Sequence, residues 1–153
     1  MNLLADVRDF LAQKRIAMVG VSRNPKDFSH TLFRELVSRG YDMVAVNPKA
    51  TQIEGALSVA RIEDVTPAPE AVLLMTSHGV TEDILHEWRS GIHRVWIYGT
   101  NGKSKVSPIA TSELRRKGVK VIEGECPFMF LNDNAAIHKL HGFVRKVFHI
   151  YPA

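Results

Sequence analysis

Ile16-Ala17-Met18-Val19-Gly20-Val21-Ser22-Arg23-Asn24-Pro25-Lys26-Asp27-Phe28-Ser29 turns a short apolar run into a loop and then into the start of a helix. The run over residues 16–19 is continuously apolar rather than alternating, as in a strand covered on both faces of a parallel sheet. Gly20 ends it. Lacking a Cβ, it lets the chain turn sharply and lets a ligand approach the backbone, while N–H groups at the next helix start favour an anion. The dinucleotide pattern G-x-G-x-x-G here reads Gly20-Val21-Ser22-Arg23-Asn24-Pro25, with two glycines absent.

Working outward, the apolar residues Leu3, Leu4, Val7, Phe10 and Leu11 fall at helical spacing, and Asn2 can cap that helix. Beyond the loop, Ser29 is expected to cap a second helix with Leu32, Phe33, Leu36 and Val37 inward, stopped at Gly40. Residues 43–46 form the next strand, ended by Asn47-Pro48-Lys49. Residues 50–69 carry no long periodic element; 56–59 can be a short extended piece and 61–65 one helical turn. Residues 71–75, 95–98 and 119–122 read as further strands. Between them lie a helix opened by Thr81, with Glu82 and Asp83 in its first turn, and one capped by Ser107-Pro108. This alternation predicts an α/β fold: a Rossmann-like, doubly wound parallel sheet of about five strands with helices on both faces. Ligands bind such sheets at the carboxyl ends of the strands, where Gly20, Asn47, Thr76 and Gly99 begin loops.

The 153 residues suit one domain, 1–153, in which 134–148 has the apolar spacing of a C-terminal docking helix or a homodimer contact. Hydrophobic residues at 45% and charged residues at 24% are ordinary for a globular protein. A net charge of +4 favours anionic ligands, but the basic residues are scattered and no recognition motif for nucleic acid accompanies them. The apolar runs are too short for a membrane span, and the amino terminus lacks a signal-peptide layout. A single cysteine excludes an internal disulfide framework. Cytoplasm is the expected location.

Val19-Gly20-Val21-Ser22 with Asn24-Pro25 and Ser29, Gly40-Tyr41 before a strand ending Val46-Asn47-Pro48-Lys49, and Glu123-Gly124-Glu125-Cys126-Pro127 resemble the CoA-binding domain family, in particular its small single-domain bacterial members. The resemblance runs from about residue 15 to 127. It implies a Rossmann-like fold that binds coenzyme A or an acyl-CoA through its first two loops. Gly20, Val21 and Ser22 would approach the phosphates, and Asn47, Pro48 and Lys49 would line the nucleotide end. Arg23, Pro25, Ser29 and Thr76 complete the expected site. Relatives often carry a basic residue after the third strand; this chain has Thr76-Ser77-His78-Gly79 there.

The second strand end is a test of ligand type. An NAD site places Asp or Glu there for the ribose hydroxyls, whereas this chain has Asn47 and Lys49. Lysine attracts the ribose phosphate that CoA and NADP share. The residues thus favour CoA or NADP over NAD, and the resemblance selects CoA. The reading is a binding protein, non-catalytic or regulatory, with an NADP-linked oxidoreductase as the alternative. Other chemistry-bearing residues have plainer readings beside the sharp ones. Cys126 is a buried thiol or a redox partner for the CoA sulfur, and Glu123 and Glu125 raise its pKa. His138 and His141 are helix-face histidines or metal ligands, and no metal site is expected. His78 is a loop hydrogen-bonder or a general base, with no catalytic constellation beside it. The apolar residues 126–131 are core, dimer surface or a cover for a pantetheine arm.

Overall fold

The computed structural model describes residues 2–88, 91–98 and 106–131. In chain order the elements are α1 (Leu3–Leu11), β1 (Arg15–Val19), α2 (Phe28–Ser38), β2 (Asp42–Val46), β3 (Gln52–Ile53), β4 (Ala56–Val59), β5 (Ala71–Leu74), α3 (His78–His86), β6 (Arg94–Ile97), α4 (Pro108–Arg116) and β7 (Lys120–Glu123), with 3-10 turns at Ile62–Asp64 and Pro127–Phe130. The strands form one sheet in the order β3-β4-β2-β1-β5-β6-β7, parallel throughout except for the antiparallel β3–β4 pair.

Side chains alternate across the pleat and feed two cores. Ile16, Met18, Met43, Leu73 and Trp96 point to the layer made by α1 and α2, where they meet Val7, Phe10, Leu32 and Phe33. Ala17, Val19, Val44, Val72, Leu74 and Val95 point to the other layer and meet Leu85, Trp88, Ala110 and Leu114 of α3, α4 and the segment after α3. Both faces of the central strands are therefore dry, which is why the sequence shows continuous apolar runs. The expected doubly wound α/β sheet is present, with seven strands where about five were expected. The two additional strands are β3 and β4, joined by Glu54-Gly55 with φ of 50° and 74°. Two positive φ values in a two-residue loop make a type I′ hairpin. A two-residue strand carries no periodicity, so only the turn marked it.

Three local expectations shift. α2 begins at Phe28 with Asp27 at the cap position, so Ser29 lies in its first turn and its hydroxyl is turned to the β1 loop. α3 begins at His78 rather than Thr81, because Thr81 is fully buried and its hydroxyl meets that of Thr76 at 2.7 Å. Glu82, one turn into α3, instead accepts the Ser107 N–H and so caps the incoming α4 from outside. Leu3 and Leu4, expected on the inward stripe of α1, are exposed; Val7 and Phe10 carry the packing. The Asn2 cap holds, its Oδ1 accepting the Ala5 N–H at 3.2 Å. Residues 134–148, read as a docking helix, lie outside the described residues.

Asp9 joins α1 to the far edge of the sheet, accepting from Arg94 Nε at 2.7 Å and Lys120 Nζ at 3.0 Å. The Arg94 hydrogen bond, then that of Lys120, holds its carboxyl below the usual value of 3.8. A lowered carboxylate pKa contributes stability that is complete above the unfolded value and is lost as pH falls through the folded one. Asp9→Asn is therefore expected to be less stable at neutral pH and to lose less of its stability on acidification below about pH 4. Urea unfolding of both proteins across that range checks this; parallel curves would contradict it.

Candidate functional site

From β1 the chain moves to β2 and β4 on one side and to β5, β6 and β7 on the other. The carboxyl ends of β1 and β5 thus flank the switch point at which open parallel sheets take ligands. A cleft of about 570 Å³ opens there. Residues 19–22 after β1, 46–49 after β2, 60–63 after β4 and Thr76 after β5 build its walls, with Val80, Ile84, Glu87 and Trp88 facing in from α3 and the turn after it. Lys49 and Arg61 are its cations, with Glu63 and Glu87 as its anions, and Ile62, Val80, Ile84 and Trp88 form an apolar side.

Gly20 is required by geometry. Its φ is +86°, and a Cβ there would stand 2.9 Å from the Met75 carbonyl oxygen and 3.0 Å from the Thr76 Cγ2. The loop is then fixed by bonds that leave selected backbone donors free. Ser29 Oγ accepts the Ser22 N–H at 2.9 Å. The Ser22 hydroxyl donates to Asp27 Oδ2 at 2.5 Å and accepts the Asn24 N–H at 3.0 Å. Ser22, expected to approach the phosphates, has both its hydroxyl and its N–H engaged within the loop and contributes the wall itself. The N–H groups of Val21 and Arg23 make no hydrogen bond among the described residues. Val21 is only 1% exposed and lines the cleft. A buried peptide donor without a protein partner points to a ligand or water in its place.

Asn47 couples the two loops. Its Nδ2 donates to the Val21 carbonyl at 3.0 Å, and its Oδ1 accepts the Lys49 N–H at 2.8 Å. Arg23 reaches across from the first loop, Nη1 lying 3.5 Å from the Lys49 carbonyl. Of the residues expected from sequence, Gly20, Val21, Ser22, Asn47, Pro48, Lys49 and Thr76 converge on the cleft, while Arg23, Pro25 and Ser29 stand behind or beside the first loop and do not line it. Thr76 brings its methyl rather than a free hydroxyl, because its Oγ1 is paired with Thr81. Residues 60–63 and the α3 face were not anticipated. Recognising β4 as a strand parallel to β2 would have exposed the former, since they follow its carboxyl end.

The remaining chemistry-bearing residues lie outside the cleft walls. Cys126 is 7% exposed, and burial first, then Glu125, pushes its thiol pKa up while Tyr98 and two backbone N–H groups pull the other way. A raised pKa leaves little thiolate, so the plain reading of a structural cysteine fits. Phe128 and Leu131 join Cys126 in the core under α1 and α2. His78 opens α3 on the surface, 3.7 Å from Glu82. His138 and His141 lie outside the described residues. No helix among the described residues is long and apolar enough to cross a membrane.

Fold and cleft together define a Rossmann-like α/β architecture that opens at its switch point. The chain matches the CoA binding domain family over residues 14–132 and belongs to that family. It is 31% identical over 62 residues to the uncharacterized protein YneT of Bacillus subtilis (strain 168), a stretch that is 40% of this chain and 46% of that relative, so under half of the relative's length is matched. Among solved structures it resembles the PH1109 protein redesigned for binding (TM-score 0.75, 19% identity, 88% of this chain and 96% of that one). It also resembles a hypothetical protein from Pyrococcus horikoshii OT3 (TM-score 0.68, 23% identity, 80% and 85%). A third likeness is the cell-free ID.343 protein of Thermus thermophilus (TM-score 0.68, 23% identity, 92% and 98%). These three likenesses are of fold.

Proposed function

We propose that this protein binds coenzyme A or an acyl-CoA in the cleft at the β1 and β2 strand ends, as a non-catalytic or regulatory binding protein of the cytoplasm. The observation that carries the reading is the Val21 N–H, buried on the cleft wall without a partner among the described residues, beside a second strand end that offers Asn47 and Lys49 in place of a carboxylate. The phosphates meet the first loop, and Lys49 and Arg61 draw the ribose phosphate. The apolar side formed by Ile62, Val80, Ile84 and Trp88 takes the less polar part of the ligand. Asp27 shapes the phosphate position, because its carboxylate already stands at the α2 start, where an anion would otherwise settle.

Lys49 and Arg61 suit the ribose phosphate of NADP as well, which keeps an NADP-linked oxidoreductase as the second reading. Mass spectrometry of small molecules released from gently purified protein is expected to show CoA or a thioester of it. NADP in that fraction, without CoA, would reverse the order of the two readings.

A further inference from the structure

His30 lies in the first turn of α2, 5% exposed, between two acceptors. Its Nδ1 is 2.6 Å from the Ser22 carbonyl oxygen, and its Nε2 is 2.5 Å from Glu54 Oε1. A carbonyl oxygen only accepts, and an ionised carboxylate only accepts. Arg34 holds the same Glu54 oxygen at 3.2 Å. The His30 hydrogen bond, with Arg34 adding to it, keeps the Glu54 carboxyl below its ordinary value. The proton between them therefore sits on the ring, and satisfying both acceptors takes an imidazolium. The other charged groups nearby are committed elsewhere: Asp27 to the Ser22 hydroxyl and the Asn24 amide, Arg23 toward the Lys49 carbonyl.

We propose that protonated His30, anchored by Glu54 of the β3–β4 hairpin, is a positioning residue for the nucleotide site and makes ligand binding pH-dependent. Ser22 lines the cleft, so holding its carbonyl on His30 fixes the first loop where it forms the cleft wall. A neutral ring has one N–H and loses one of the two contacts, which cuts the link between hairpin and loop. Glu54 is also the one non-glycine with positive φ among the described residues, at 50°. A glutamate is a poor choice for that backbone, where Asn or Gly fits better; its carboxylate supplies what the turn alone does not need.

The inference rests on the CoA reading, and the test separates the two. Calorimetry with CoA is run on the wild type and on Glu54→Asn at about pH 6 and about pH 8. The ribose phosphate of CoA also gains charge across that range, but identically for both proteins, so the comparison isolates the clamp. Relative to the variant, the wild type is expected to bind roughly five- to tenfold more tightly at the lower pH, the worth of one ordinary hydrogen bond, and equally at the higher. Glu54→Asn should melt no lower than wild type, since Asn-Gly suits the type I′ turn. NMR of the unliganded protein at the lower pH should show both His30 ring nitrogens protonated. Binding that differs equally with pH in the two proteins, or a neutral ring at the lower pH, overturns the clamp and leaves CoA binding standing. Absence of CoA binding by the wild type at both pH values removes the CoA reading and this inference with it, whatever the ring signals show.

Discussion

Gly20→Ala is expected to lower the unfolding free energy by roughly 2–4 kcal/mol and to abolish measurable CoA binding, because the substitution imposes two separate penalties. The first is conformational. At φ +86° an L side chain meets the following carbonyl, at a cost of roughly 1–2 kcal/mol. The second is steric: the new Cβ lies 2.9 Å from the Met75 carbonyl oxygen and 3.0 Å from the Met75 carbonyl carbon, both backbone atoms that cannot rotate away. Relief requires β1 and β5 to part at their carboxyl ends, where the Met75 N–H donates to the Val19 carbonyl at 2.9 Å. Those are the ends that form the cleft, so the stability loss and the binding loss share one cause. Urea unfolding and calorimetry on the same preparation check it. A variant with wild-type stability would show that the β1–β5 approach is looser than the geometry states.

Asn47→Asp is the other large effect, and it separates binding from folding. The Asp oxygen in the place of Oδ1 still accepts the Lys49 N–H, so the turn after β2 survives. In the place of Nδ2 stands an oxygen facing the Val21 carbonyl, and a donor is replaced by repulsion. The new charge also sits beside the path of an anionic ligand. Like-charge repulsion of about 1–2 kcal/mol near the surface predicts roughly a five- to thirtyfold loss of CoA affinity, while the lost internal hydrogen bond of about 1 kcal/mol falls on stability. The melting temperature should change by only a few degrees. An Asp here is also what an NAD site uses for its ribose, so any gain of NAD affinity in this variant would follow from the same geometry. Unaltered CoA binding would show that the ligand does not pass Asn47.

The large-scale fold was legible because its signals are physical and local. Continuous apolar runs such as residues 16–19 report strands dry on both faces, and Gly40, with a φ of 89°, marks the helix end it was expected to mark. Residues 56–59, read as a short extended piece, are β4, whereas β3 and the joining of both to the sheet escaped because two and four residues give no period. Ser29 and Thr81 misled for a shared reason. Each is a good capping residue by type, yet tertiary contacts claim its hydroxyl, for the Ser22 N–H and for Thr76. The convergence of Gly20–Ser22 with Asn47–Lys49 was readable because consecutive strand ends of a parallel sheet must lie side by side. His30 and Glu54 were not readable, since 24 residues separate them and only folding puts the ring against the carboxylate. Nothing in a lone helical histidine distinguishes such a clamp from a surface residue.

The central claim is that the Val21 N–H, with Lys49 and Arg61, selects a nucleotide bearing a ribose phosphate and, among those, coenzyme A. Calorimetric titration with CoA, with CoA lacking its ribose phosphate, and with NADPH tests it most directly. The expected result is one CoA per chain, at least tenfold weaker binding without the ribose phosphate, and displacement of NADPH by CoA. Tighter binding of NADPH than of CoA, or no binding of any of the three, would contradict the account.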